Sequence, residues 1–131
     1  NRHVELDRGG QPLVLAGVDD LWAGRPDLVE ALEDVPPELC RILLCHNPDY
    51  ADIMPSDPRV DLMISGHTHG GQVRLPLVGA LRLPVKNRRY ADGFVQGPCC
   101  PVFVSRGVGM VAIPVRFRCR PETCLLTLKR A

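Results

Sequence analysis

Residues 60–71, VDLMISGHTHGG, decide how the chain is organised. An apolar run through Leu62, Met63 and Ile64 stops at Gly66, and two imidazoles two positions apart follow, then two glycines. A short apolar run bounded by glycine reads as a buried strand. A histidine that only fills space needs neither a glycine nor a second histidine beside it. The chain has only four histidines, so two of them here point to chemistry at a strand end.

Two upstream runs close in the same way. PLVLAGVDD (12–20) reads as a strand ending at Asp19 and Asp20, and RILLCHNPD (41–49) as one ending at His46 and Asn47. Between them, RPDLVEALEDV (25–35) sets Leu28, Val29 and Leu32 at helical spacing, with Pro26 near its start and Pro36–Pro37 at its end. NPDYADIM (47–54) predicts a short helix ending near Pro55. Further on, QVRLPLVGALRLP (72–84), GFVQG (93–97), CPVFVSRGVG (100–109) and ETCLLTLKR (122–130) predict short strands separated by Gly and Pro. Strand–helix alternation followed by strands alone predicts an α/β fold that is sheet-rich in its C-terminal part.

In α/β sheets, functional groups gather where the strands run out. His46, His67 and His69 are therefore candidate metal ligands, and neutral imidazole suits zinc, manganese or iron. Gly66 lets the chain turn, while Gly70 and Gly71 let backbone approach a ligand closely. Thr68 is expected to point away from a cavity that His67 and His69 share. Asp19, Asp20 and Asn47 have two open readings: acceptors that orient a ligating imidazole, or turn formers at strand ends. Arg74 and Arg106 are candidates for phosphate contact, Arg106 in SRGVG being the better placed. His3 reads as an exposed loop residue.

Composition limits the alternatives. At 131 residues with 45% apolar content the chain is one domain's length with enough for a core. A formal charge of +1 gives no general grip on nucleic acid. The basic clusters Lys86, Arg88, Arg89 and Arg116, Arg118, Arg120 read as solvated loops. Six cysteines lack the paired CxxC spacing of a structural zinc site, and Cys45 reads as a small buried hydrophobe. No apolar stretch reaches the ~20 residues that a membrane helix needs.

GHTHGGQ (66–72) together with LLCHNPD (43–49) resembles the calcineurin-like metallophosphoesterase family. LAGVDD (15–20), GRPDL (24–28), GHTHGGQVRLP (66–76) and VSRGVG (104–109) resemble its bacterial membrane-linked branch, which is similar to phosphodiesterases and UDP-diacylglucosamine pyrophosphohydrolases. The resemblance runs from Leu13 to Leu128. It implies a four-layer α/β/β/α sandwich, of which residues 1–131 are the C-terminal half. It also implies two divalent ions (Mn, Fe or Zn) about 3.5–4 Å apart, and a hydroxide that attacks a phosphodiester or pyrophosphate. His46 and His67 match ligands of one ion and His69 a ligand of the other.

The family's Asp-x-His, Gly-Asp-x-x-Asp and Gly-Asn-His-Asp/Glu motifs do not occur here, so an N-terminal half carrying them is the expected partner. The expected substrate is a phosphoester, lipid-linked or nucleotide-sugar in kind. Membrane association is implied by the resemblance alone, and the free cysteines favour a reducing cytoplasm. Two alternatives stay open. His46, His67 and His69 could hold a single zinc, or the chain could be a catalytically incompetent half that binds a partner.

Overall fold

The computed structural model describes residues 1–129. Its frame is a six-stranded mixed sheet built from β1 (Arg2–Asp7), β2 (Pro12–Gly17), β3 (Cys40–Leu44), β4 (Leu62–Ser65), β7 (Gly93–Gln96) and β8 (Pro101–Val104). A separate hairpin of β5 (Arg74–Leu75) and β6 (Gly79–Ala80) leaves the sheet after β4. The strand order is β1-β2-β3-β4-β8-β7. The four central strands run parallel, and β1 and β7 are antiparallel at the edges. Parallel central strands put the ends of β2, β3, β4 and β8 at one edge of the sheet, which is why the polar residues that terminate those runs converge. The fold is α/β, mixed and sheet-rich, as expected.

The two faces of the sheet differ. Side chains alternate along a strand, and Val14, Ala16, Leu43, Met63, Val102 and Val104 all turn toward one side, where none is more than 1% exposed. Leu28, Leu32 and Val35 cover that side from above β2 and β3, with Tyr50, Met54 and Tyr90 completing the core. Burying a side chain such as Leu28 or Leu43 contributes about 1.5–3 kcal/mol each. Toward the other side point Val4, Leu6, Leu44 and Phe94, all exposed. Phe94 leans on its cross-strand neighbour Phe103 at 4.8 Å between centroids.

Several local expectations change. The predicted helix over 25–35 is a single turn, α1 (Leu28–Ala31), capped by Asp27 accepting from the Glu30 N–H. Nine residues lie between Pro26 and Pro36, but the backbone leaves the helical region at Leu32 (φ −115°, ψ 18°) and turns left-handed at Asp34 (φ 61°), which ends the helix early. The 47–54 helix is a 3-10 turn, Pro48–Asp52, with Asn47 as its cap. ETCLLTLKR is not a strand within the described residues, and Arg130 lies outside them. No neighbouring strand completes a ladder there, and Leu125 is 93% exposed. His3 is not in a loop but on β1, half-buried, with Nδ1 2.9 Å from the Ala31 carbonyl.

All six cysteines are free. Cys45 is buried as read, and burial pushes its thiol up to about 12. Among the described residues no helix is long and apolar enough to cross a membrane.

Candidate functional site

The loops after β3 and β4 place His46 and His67 edge to face, with ring centroids 4.9 Å apart. Trp22, from the loop after β2, packs against the other side of His67 at 4.4 Å. Both His67 (φ 66°) and His69 (φ 51°) have left-handed backbone. In non-glycine residues that conformation costs of order 1–3 kcal/mol and persists where the surroundings impose it, often at functional sites.

Hydrogen bonds fix the tautomers of two rings. His67 Nε2 lies 2.9 Å from the Pro84 carbonyl oxygen, and His69 Nδ1 lies 3.0 Å from that of Gly109. A carbonyl oxygen only accepts, so each of these nitrogens carries the proton. His67 is left with a bare lone pair on Nδ1 and His69 with one on Nε2. Ligating histidines are commonly oriented in this way. Burial, above all, holds His67 below the ordinary imidazole value, so its ring is neutral near pH 7.

The carboxylates at the end of β2 form turns. Asp20 Oδ1 accepts from the Trp22 and Ala23 N–H groups at 2.8 and 2.9 Å. Those two bonds hold its carboxyl below the usual range. Asp20 therefore forms the turn and, through Trp22, also walls His67. Asp19 is exposed and accepts from the Arg25 N–H at 3.4 Å, a turn role only.

Asn47 is fully buried, and its Oδ1 accepts from the Asp49 N–H at 2.9 Å. Its Nδ2, like Ser65 Oγ at the end of β4, is buried without a hydrogen-bond partner among the described residues. Such orphaned groups are uncommon in folded proteins, and these two sit at the adjacent ends of β3 and β4.

The structure brings together two of the three histidines. His69 turns toward Gly109, and among the described residues no group of three or more His, Cys, Asp or Glu side chains is placed to hold a metal ion. His46, His67 and His69 therefore do not form a three-histidine ligand group by themselves in this structure. Thr68 does point away, donating to the Ala91 carbonyl at 2.8 Å. The donor chemistry fits a divalent ion in part: neutral nitrogen donors with free lone pairs are present, but not a complete coordination sphere.

The candidate arginines are occupied. Arg74 pairs with Asp92 at 2.9 Å, and Arg106 is gripped by Glu122 with Asp92 3.8 Å away. In this structure each guanidinium faces a carboxylate. The glycines after His69 also serve packing. A Cβ on Gly70 (φ +59°) would lie 2.6 Å from both Arg106 Cγ and Cys119 Sγ, and one on Gly71 would lie 2.5 Å from Ala80 Cβ. Gly70→Ala is accordingly expected to lower stability in urea by about 1–3 kcal/mol from overpacking, beyond the ~1–2 kcal/mol of left-handed backbone. Gly107→Ala (φ +60°), with nothing within 4 Å of the added carbon, carries only the backbone share. Equal losses for the two variants would contradict the packing role.

Sequence reading missed four residues that hold the site together. Asp49 accepts from the Lys86 and Asn87 N–H groups at 2.7 and 3.1 Å, pinning the loop whose Pro84 carbonyl holds His67. Gln72 exchanges bonds with Val111 and Ile113. Glu122 anchors Arg106. Arg116, read as solvated, is drawn in against backbone carbonyls, while Arg118 and Arg120 are exposed as expected.

One signal was available for the whole region. From Leu62 to Pro121 there are nine Arg or Lys and one acidic residue, Asp92. Two of these cations, Arg74 and Arg106, are paired with Asp92 and Glu122.

Comparison with known proteins gives a consistent set of relatives. The chain is 40% identical over 120 residues to the uncharacterized metallophosphoesterase YkuE of Bacillus subtilis (strain 168), a match that covers 92% of the chain and 42% of that protein. It is 43% identical over 114 residues to the phosphodiesterase YaeI of Escherichia coli (strain K12), covering 87% and 40%. A Bos taurus transmembrane protein with a metallophosphoesterase domain is 35% identical over 127 residues, covering 91% and 28%. The chain thus spans less than half the length of these relatives. No family model and no solved structure matches it.

Proposed function

The chain belongs to the calcineurin-like metallophosphoesterase family, and on that premise we propose that it is the C-terminal half of a domain hydrolysing a phosphodiester or pyrophosphate bond at two divalent ions. His46 and His67 would hold one ion and His69 the other. The observation that carries this reading is the pair of set tautomers, each leaving one ring nitrogen bare at a strand end. When bound, such ions supply a nucleophile at neutral pH and offset charge that builds on the phosphoryl oxygens.

The chain's own residues do the rest. Burial keeps His67 neutral and able to donate its lone pair at pH 7. Trp22 and the Pro84 carbonyl stop its ring from turning. The cationic loops draw a phosphoester toward the strand ends.

The partner is an N-terminal half of the same domain, bringing the Asp-x-His, Gly-Asp-x-x-Asp and Gly-Asn-His motifs. Its sheet would cover the open face at Val4, Leu6, Leu44 and Phe94, giving the four-layer sandwich. Two observations support this: the relatives are more than twice as long as the chain, and an exposed apolar face of this kind marks an interaction surface. The substrate is a phosphodiester or pyrophosphate, lipid-linked or nucleotide-sugar in kind, and a lipid-linked one would place the protein at a membrane.

Joined to such an N-terminal half and given Mn²⁺, the chain is expected to cleave bis(p-nitrophenyl) phosphate at an ordinary enzyme rate, on the order of 1–10³ s⁻¹. The chain alone is expected to be inert by comparison. Turnover at that rate by the chain alone would overturn the two-ion assignment.

A further inference from the structure

We propose that Arg116 is the positioning residue of the His69 ring. Its guanidinium holds the Gly109 carbonyl where that oxygen takes the Nδ1 proton, and so keeps Nε2 as the bare donor. The inference rests on reading His69 as a metal ligand, but the tautomer itself can be measured without metal.

The guanidinium is a rigid fork of five N–H donors, and here every oxygen it meets is a backbone carbonyl. Nη1 donates to His69 and Cys119 at 3.2 and 3.4 Å. Nη2 donates to Arg106, Gly107 and Gly109 at 2.9, 3.1 and 2.6 Å. Nε donates to Gly109 at 3.2 Å. Among the described residues no carboxylate pairs with it.

These carbonyls come from separate pieces of chain: the loop after β4, the loop after β8 and the segment leading away from Arg116. Residues 105–111 have no regular structure, so no sheet ladder fixes the Gly109 carbonyl. Arg116 does so with two donors, and the same oxygen accepts the His69 Nδ1–H. Gly109 also lies close under the ring, since a Cβ there would be 3.4 Å from His69 Cε1. Arg116 further grips the carbonyl of His69 itself, so backbone and ring are set from one side chain. A lysine keeps the charge, but its compact ammonium cannot span three strips of backbone.

The test is the ring-nitrogen NMR spectrum of His69 in the complete protein, recorded by long-range ¹H–¹⁵N correlation without metal. Wild type and Arg120→Met, which changes an exposed neighbour, are expected to show His69 almost wholly as the Nδ1–H tautomer. Arg116→Met is expected to shift it toward Nε2–H while the His67 signals stay in place, and added millimolar guanidinium is expected to restore it. Arg116→Lys is expected to fall between, and it decides the matter by the same spectrum if Arg116→Met does not fold.

With metal added, affinity at the His69 ion is expected to drop about 10–100-fold in Arg116→Met, the size typical of a group that orients a ligand, with kcat affected more than KM. An unchanged Nδ1–H tautomer in the folded Arg116 variants overturns the proposal. A tautomer that moves in Arg116→Met, in a protein whose metal binding is indifferent to His69→Ala, supports the role of Arg116 and overturns the ligand assignment instead.

Discussion

Replacing His69 by alanine in the complete enzyme is expected to cut kcat by at least about 10²–10³-fold, with thermal unfolding nearly unchanged. That size attaches to loss of one preorganised group at a reacting centre. His69 is suited to a clean result because, among the described residues, its ring is hydrogen-bonded only to the Gly109 carbonyl and is not part of the buried core. His67→Ala is less clean: its ring also packs on Trp22 and His46 and ties down Pro84, so stability falls with activity. Cys45→Ala is the contrast. It removes a buried sulfur from the core and its weak bond to the Asn47 carbonyl while leaving the three site imidazoles in place, so it is expected to cost about 1 kcal/mol in urea and little turnover. Equal steady-state activity for wild type and His69→Ala would contradict the ligand assignment.

Asp49→Ala is expected to destabilise the protein by about 2–4 kcal/mol, measured as the change in urea unfolding free energy. Asp49 is buried, and its two oxygens take the Lys86 and Asn87 N–H groups. Bonds to a charged acceptor are worth about 1.5–3 kcal/mol, and removing the acceptor leaves partly buried donors unsatisfied. The loop it holds carries Pro84, so the variant should also free the His67 ring and weaken metal binding at His46 and His67. Asp49→Asn keeps one acceptor oxygen and is expected to lose about half as much. A variant with wild-type stability would show that the 84–87 loop is held by other means.

The strand ends were legible because burial writes itself into apolar runs and because Gly and Pro mark where the runs stop. PLVLAG, RILL and LMIS each became a parallel strand, and His46 and His67 met as neighbours at their ends. What organises the loops was not legible, for a physical reason. The acceptors for His67, His69 and Arg116 are backbone carbonyls, which every residue carries and no letter of the sequence encodes. Arg116, Arg118 and Arg120 look alike in RFRCR, and only their place against the folded loops separates a clamp from two solvated cations. Arg106 similarly depended on Glu122, a partner 16 residues away. ETCLLTLKR alternates plausibly, but a strand exists only beside another strand.

The neighbours β4 and β8 are paired in the sheet, although the chain between them, residues 66–100, makes a long detour that includes the β5–β6 hairpin. Closing a detour costs entropy that grows only slowly with its length, about 0.6 kcal/mol per doubling. Its tip at Leu77 stands fully in solvent. Residues can therefore be inserted there without pulling apart the strands on which His67 and Arg106 are mounted. The hairpin is a place where reach toward larger or smaller molecules can be tuned independently of the anchoring frame.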